Sequence, residues 1–171
     1  MVRAVRAGLI DYEPILAVRP KRRRLMVTPE IKEIFDGTKV VPDYPVSAAD
    51  RRIGAFVAGH LIAASRVKAK RRKRDGNIDV EQIVNVDEVW AFCWRLPRPG
   101  HRFLGRFLEQ DTLVLLRHAN KFQLVNRYED EGNLVISDWQ TKLTDQQPLR
   151  SANLSDYLSG PVYDVDAKTT Y

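Results

Sequence analysis

Arg102, Arg106, Arg117, His118 and Lys121 form the constellation best suited to chemistry in this chain. If residues 102 to 108 and 112 to 118 are neighbouring strands, a period of two puts Arg102 and Arg106 on one face. Arg117 then stands on the facing strand beside His118, with Asn120 and Lys121 just beyond. Guanidinium and ammonium groups so arranged can clamp a phosphate, and an imidazole can move a proton near neutral pH. Cleavage of RNA by its own 2′-hydroxyl asks for these groups and no metal: a base for the hydroxyl, positive charge on the phosphoryl oxygens and an acid for the leaving oxygen. The plainer reading makes Arg102 and Arg106 a solvated face and His118 a strand-end residue.

Positive charge is unevenly spread. Residues 1 to 76 hold 18 Lys or Arg against 8 Asp or Glu, a balance of +10, whereas residues 77 to 171 hold 10 against 14, a balance of −4. The first half carries the run Lys21, Arg22, Arg23 and Arg24 and the denser run Arg66, Lys68, Lys70, Arg71, Arg72, Lys73 and Arg74. Such runs attract phosphate backbones and make binding steeply salt-dependent, although either can also be a solubilising loop. The second run has no apolar partner face or lipidation signal, so nucleic acid, RNA or DNA, is the expected partner rather than a membrane.

Other chemistries lack their residues. One cysteine, Cys93, allows no intrachain disulfide and is read as an inert core thiol in a cytoplasmic protein. There is no phosphate-binding glycine loop, dinucleotide fingerprint, zinc-protease helix or deaminase signature, so no metal and no cofactor is expected. The carboxylates of Glu129, Asp130 and Glu131 diverge on a strand and read as a turn.

The elements that must position the cluster follow from periodicity. Residues 1 to 22 form an extended segment, interrupted by Pro14 and Pro20. Leu25 to Val27 read as a short strand. Thr28 caps a helix with Pro29 in its first turn and Gly37 as its stop. Ser47 and Asp50 form a capping box for a second helix running to about Arg66, its buried stripe made of Ile53, Phe56, Val57, Leu61 and Ala64, with His60 near the apolar side. Trp90, Phe92 and Trp94 alternate with Val89, Ala91 and Cys93, which predicts a strand covered on both faces. With 102 to 108 and 112 to 118 it makes a three-stranded antiparallel meander, and a further hairpin spans Phe122 to Tyr128 and Leu134 to Trp139. The expected fold class is α+β: an antiparallel three- to five-stranded sheet packed against two helices. It occupies residues 23 to 140 with a basic insertion at 66 to 76, followed by an irregular tail at 141 to 171.

The order of these elements, with Glu88-Val-Trp-Ala-Phe-Cys-Trp-Arg-Leu96, Arg102-Phe-Leu-Gly-Arg-Phe107 and Asp111-Thr-Leu-Val-Leu-Leu-Arg-His118, resembles the small bacterial toxins of the RelE/ParE superfamily over residues 23 to 122. The basic insertion, the greater length and Asn120-Lys121 in place of paired lysines depart from that pattern. The resemblance implies a metal-independent endoribonuclease acting on messenger RNA in the ribosome and held by a cognate antitoxin. His118, Arg106 and Arg117 would be catalytic and Arg102 and Lys121 would bind RNA, while Lys68, Lys70, Arg71, Arg72, Lys73 and Arg74 are nominated for nucleic-acid contact by their charge and not by the resemblance. The same superfamily includes gyrase poisons. Two alternatives stand beside it: a nucleic-acid-binding regulator without catalysis, and a replication inhibitor acting on gyrase or docking on the DNA sliding clamp through Gln110-Asp-Thr-Leu113-Val-Leu115-Leu116.

Overall fold

The computed structural model describes residues 7–17, 19–66, 78–167 and 169–170. Strand β1 (Ile10–Asp11) pairs antiparallel with β2 (Arg24–Val27). Helix α1 (Pro29–Asp36) starts where Thr28 accepts the Ile31 amide at 3.3 Å and ends at Gly37, whose φ of 77° lets its own amide turn back to Ile34. Ile31, Ile34 and Phe35 are its buried stripe.

Helix α2 (Val46–Val57) is shorter than its apolar pattern suggests. Gly59, at φ 76°, breaks it, and the chain continues as strand β3 (Ile62–Ser65). A Cβ at Gly59 would come within 2.9 Å of the Arg22 side chain, so the turn excludes a larger residue on two grounds. Leu61 and His60 are therefore exposed rather than part of a helical face. The capping box is not formed either. Pro45 precedes the helix without a side-chain cap, and the Asp50 carboxylate accepts the amides of Ile15 and Leu16 at 2.8 and 3.1 Å, pinning the N-terminal segment.

Strands β4 (Val80–Gln82), β5 (Trp90–Trp94), β6 (His101–Glu109) and β7 (Thr112–Asn120) pair antiparallel in succession. The sheet does not stop there. β2 lies parallel to β7, β3 lies parallel to both β4 and β8 (Val162–Asp164), and β9 (Thr169–Thr170) pairs antiparallel with β8. The strand order is β1-β2-β7-β6-β5-β4-β3-β8-β9. Among the described residues a nine-stranded mixed sheet thus replaces the expected antiparallel sheet of three to five strands. The parallel pairs join segments far apart in sequence, which local periodicity does not encode.

A third helix replaces the expected second hairpin. α3 (Tyr128–Lys142) carries Glu129, Asp130 and Glu131 in its first turn, where carboxylates favour the positive end of the helix dipole. Strand alternation divides the interior into two cores. Trp90, Phe92, Trp94, Phe103, Phe107, Leu113 and Leu115 meet α1 and α2 on one face, with Phe56 5.2 Å from Phe92. Ala91, Cys93, Leu104, Val114 and Leu116 meet Val135 and Trp139 of α3 on the other. Beyond α3, a one-turn 3₁₀ helix (Leu154–Asp156) puts Leu154, Tyr157 and Leu158 into the first core before β8 joins the sheet. Among the described residues no helix is long and apolar enough to cross a membrane.

Candidate nucleic-acid interface

Arg102 and Arg106 share a face, as their spacing requires, but it is the face that α3 covers. Arg102 is 0% exposed, donates to the carbonyls of Trp94 and His101 at 3.0 Å, and has Glu81 at 3.8 Å. Arg106, 3% exposed, donates to the Asp87 carbonyl at 3.0 Å and carboxylate at 3.1 Å, with its guanidinium 5.5 Å from the Trp139 ring. Arg117 is held between Glu131 at 3.2 Å and Asp138 at 3.0 Å, both on α3. A buried cation is stable only when neutralised and hydrogen-bonded. These partners supply charge and hydrogen bonds from within the protein, and leave Nε and Nη2 of Arg102 and Nε of Arg106 without a hydrogen bond.

His118 points the other way. Its Nε2 and Nδ1 of His101 share a hydrogen bond at 3.0 Å, and its ring lies 4.8 Å from Phe103 in the core beneath α1 and α2. Tyr44 packs edge-on against His101 at 5.4 Å. Burial, with the neighbouring His101 second, pushes the His118 pKa down to about 4, and burial lowers that of His101 as well. The sheet therefore separates the imidazole from Arg102, Arg106 and Arg117.

The two basic runs have different fates. Of the first, Lys21 pairs with Asp11 at 2.9 Å and Glu13 at 2.7 Å, Arg23 is buried and Arg24 pairs with Asp11. Of the second, Lys68, Lys70, Arg71, Arg72, Lys73 and Arg74 lie outside the described residues, and Arg66 donates to the carbonyls of Ser151 and Ala152. The segment that follows them begins at Ile78, whose carbonyl accepts from Arg95 at 3.3 Å, and at Asp79, which pairs with Arg52 at 3.1 Å. Arg52 and Arg95 line the two sides of a cleft of about 160 Å³, with Pro45, Ala48 and Ala49 from α2 and Trp94 and Leu96 from β5 and its turn. Neither arginine stands out in the sequence. Arg52 was legible only as a polar position flanking the α2 stripe, and Arg95 as the residue at which the Trp-Phe-Trp alternation ends.

Lys121 is exposed in the turn after β7, where its amide donates to the Gly100 carbonyl at 3.0 Å, so it joins the β5–β6 turn rather than the three arginines. Among the described residues no group of three or more His, Cys, Asp or Glu is arranged to hold a metal ion.

Comparison with protein-family models, with curated proteins and with solved structures returned no match. The nine-stranded mixed sheet with helices on both faces does not match the small RelE/ParE fold, which overturns that resemblance. The toxin and messenger-RNA endonuclease reading falls with it: the proton-transfer residue and the arginines named for it lie on opposite faces. Gyrase poisoning rested on the same resemblance. Clamp docking fails on burial, since Leu113 and Leu115 are 0% exposed within β7 and cannot fill a partner's groove.

Proposed function

We propose that this chain binds nucleic acid, RNA or DNA, through the phosphate backbone, with Lys68, Lys70, Arg71, Arg72, Lys73 and Arg74 supplying most of the contact. The observation that carries the reading is the balance of +10 over residues 1 to 76, from 18 basic against 8 acidic residues. Much of the remaining positive charge in that half is neutralised internally, by Asp11, Glu13 and Asp36 among others, which leaves the dense run as its main source. Beside the first residues after the run, Arg95 adds a cation to the cleft between α2 and β5, where Arg52 is paired with Asp79. A cytoplasmic location, suggested by the single cysteine, belongs to the same proposal.

Each phosphate neutralised releases condensed counterions, so affinity falls linearly with salt on logarithmic axes. Converting Lys70, Arg71, Arg72 and Lys73 together to Gln should weaken binding to RNA and DNA alike and lower the salt slope by roughly 3 to 4. Fluorescence anisotropy across a salt series measures both. An unchanged slope would assign the run to solubility and reject the proposal.

A further inference from the structure

Phe122 is 73% exposed, on a turn with little freedom to hide it. The Asn120 amide donates to the Gln123 side chain at 2.9 Å, and the Gln123 amide donates back to the Asn120 side chain at 2.9 Å. The Lys121 amide is tied to the Gly100 carbonyl, and the Leu124 amide closes onto the Lys121 carbonyl at 3.2 Å. Leu124 is fully buried in the core beneath α3, so the ring two residues before it is held outward. Isolated surface hydrophobes are common and need no explanation. A large aromatic ring on a turn fixed by side-chain and backbone hydrogen bonds is a different case, because it is presented without an ordering cost.

Its surroundings point to one class of ligand. The bond from Lys121 to Gly100 draws together the turns at residues 96–100 and 120–127, which carry the exposed Arg98 and Lys121 and not one carboxylate in their sequence. Carboxylates begin at Glu129, at the start of α3, where Glu131 engages Arg117 and Arg127. Leu96, 70% exposed, adds apolar surface on the first turn. An exposed ring flanked by cations fits an unpaired base lying between phosphates; a duplex offers no free base face to stack on.

We infer that Phe122 is a base-stacking platform, with Lys121 and Arg98 meeting the flanking phosphates, and that the protein prefers single-stranded to duplex nucleic acid. The inference rests on the phosphate-binding reading and narrows its ligand. The test compares a short oligothymidylate, an oligouridylate and a duplex of equal length, by anisotropy across one common salt series. Wild type, Phe122→Ala, Phe122→Trp and the four-Gln variant of the basic run are measured, with sedimentation to follow self-association. Wild type should bind the single strands more tightly than the duplex. Phe122→Ala should lose roughly 5- to 150-fold on single strands, the loss expected for one stacked base, with duplex affinity, salt slope and unfolding midpoint unchanged. Phe122→Trp should restore single-strand affinity. Equal single-strand affinity for wild type and Phe122→Ala would overturn the platform and leave the phosphate reading standing. A salt slope unmoved in the four-Gln variant, alongside a Phe122→Ala loss, would overturn the assignment of phosphate contact to the basic run and keep the platform with Lys121 and Arg98. A change confined to sedimentation would make the turn a protein contact and overturn the inference, and absence of binding to any oligonucleotide would reject both.

Discussion

At the scale of the residue, His118 shows how one step along a strand changes chemistry. Arg117 faces acidic side chains on α3, whereas His118 faces an aromatic interior and a second histidine. The surrounding groups are Glu30 and Lys39 from α1 and its following turn, and His101 from β6. With a folded pKa of about 4 against an ordinary value near 6.5, His118 binds a proton more readily in the unfolded chain. Stability contributed by its neutral form is therefore complete above about pH 6.5 and is lost as pH falls toward about 4. His118→Gln keeps a donor for His101 but removes the titration. Urea unfolding from neutral to acid pH should give wild type an additional loss on the order of 2 kcal/mol relative to the variant, allowing for the part of the ring that water reaches. Parallel curves would refute it. The sequence makes the shared face of Arg102 and Arg106 legible, because alternation is local. What covers that face is not local, and the same arginines read equally well as ligands or as core ion pairs until α3 is known.

At the scale of the element, α3 is the largest departure from the sequence reading, and Gly132 explains it. Asp130-Glu-Gly-Asn133 resembles a turn because glycine and asparagine usually mark one. Here the glycine serves close approach. A Cβ at Gly132 would come within 2.8 Å of both Val86 methyl groups, and Val86 is itself buried and stiff about χ1. The buried stripe of α3 is only Gly132, Val135 and Trp139, too sparse for the hydrophobic period to overrule the turn signal. Gly132→Ala gains up to about 1 kcal/mol in helix propensity but overpacks the contact, at a cost of roughly 1 to 3 kcal/mol. The substitution should therefore lower stability, and in a Val86→Ala background, where the methyls are gone and only the contact to Cβ at 3.1 Å is left, most of that loss should disappear. Denaturant midpoints of the four proteins in this cycle decide the matter; equal effects in both backgrounds would mean that α3 does not press on the turn bearing Val86. Helix α2 teaches the complementary lesson. Its apolar stripe continues in sequence past Gly59, but the backbone there adopts φ 76°, Leu61 is left exposed and Ala64 belongs to a strand.

At the scale of the whole molecule, closure depends on one side chain that its sequence context disguised. Arg23 belongs to a run of four consecutive cations, yet it is 0% exposed. Its guanidinium donates to the His60 carbonyl at 2.9 Å and the Ser159 carbonyl at 2.7 Å, stands 3.6 Å from Asp111 and lies over the Phe56 ring at 5.6 Å. Asp111 in turn accepts the Ser159 amide at 2.8 Å, while its own amide donates to the Tyr157 carbonyl at 2.9 Å and its carbonyl accepts the Arg24 amide at 2.7 Å. The start of β2, the turn from α2 to β3, the β6–β7 hairpin and the segment leading into β8 therefore meet at a single ion pair. The guanidinium reaches these partners from separate nitrogens of one rigid fork, a spread that the single ammonium nitrogen of a lysine does not reproduce. Removing one partner of a buried pair strands the other, at a cost of about 3 to 5 kcal/mol, whereas a pair that water reaches, such as Arg24 with Asp11, is worth about 1 kcal/mol. Arg23→Met should accordingly cost several times more stability than Arg24→Met, and Arg23→Lys should recover only part of the loss. Limited proteolysis supplies the spatial check. In Arg23→Met, cleavage near residues 157 to 161 should accelerate before cleavage elsewhere, because those carbonyls and Asp111 lose their shared donor. Matching midpoints for Arg23→Met and Arg24→Met, or uniform cleavage along the chain, would show that the fold closes without this clasp.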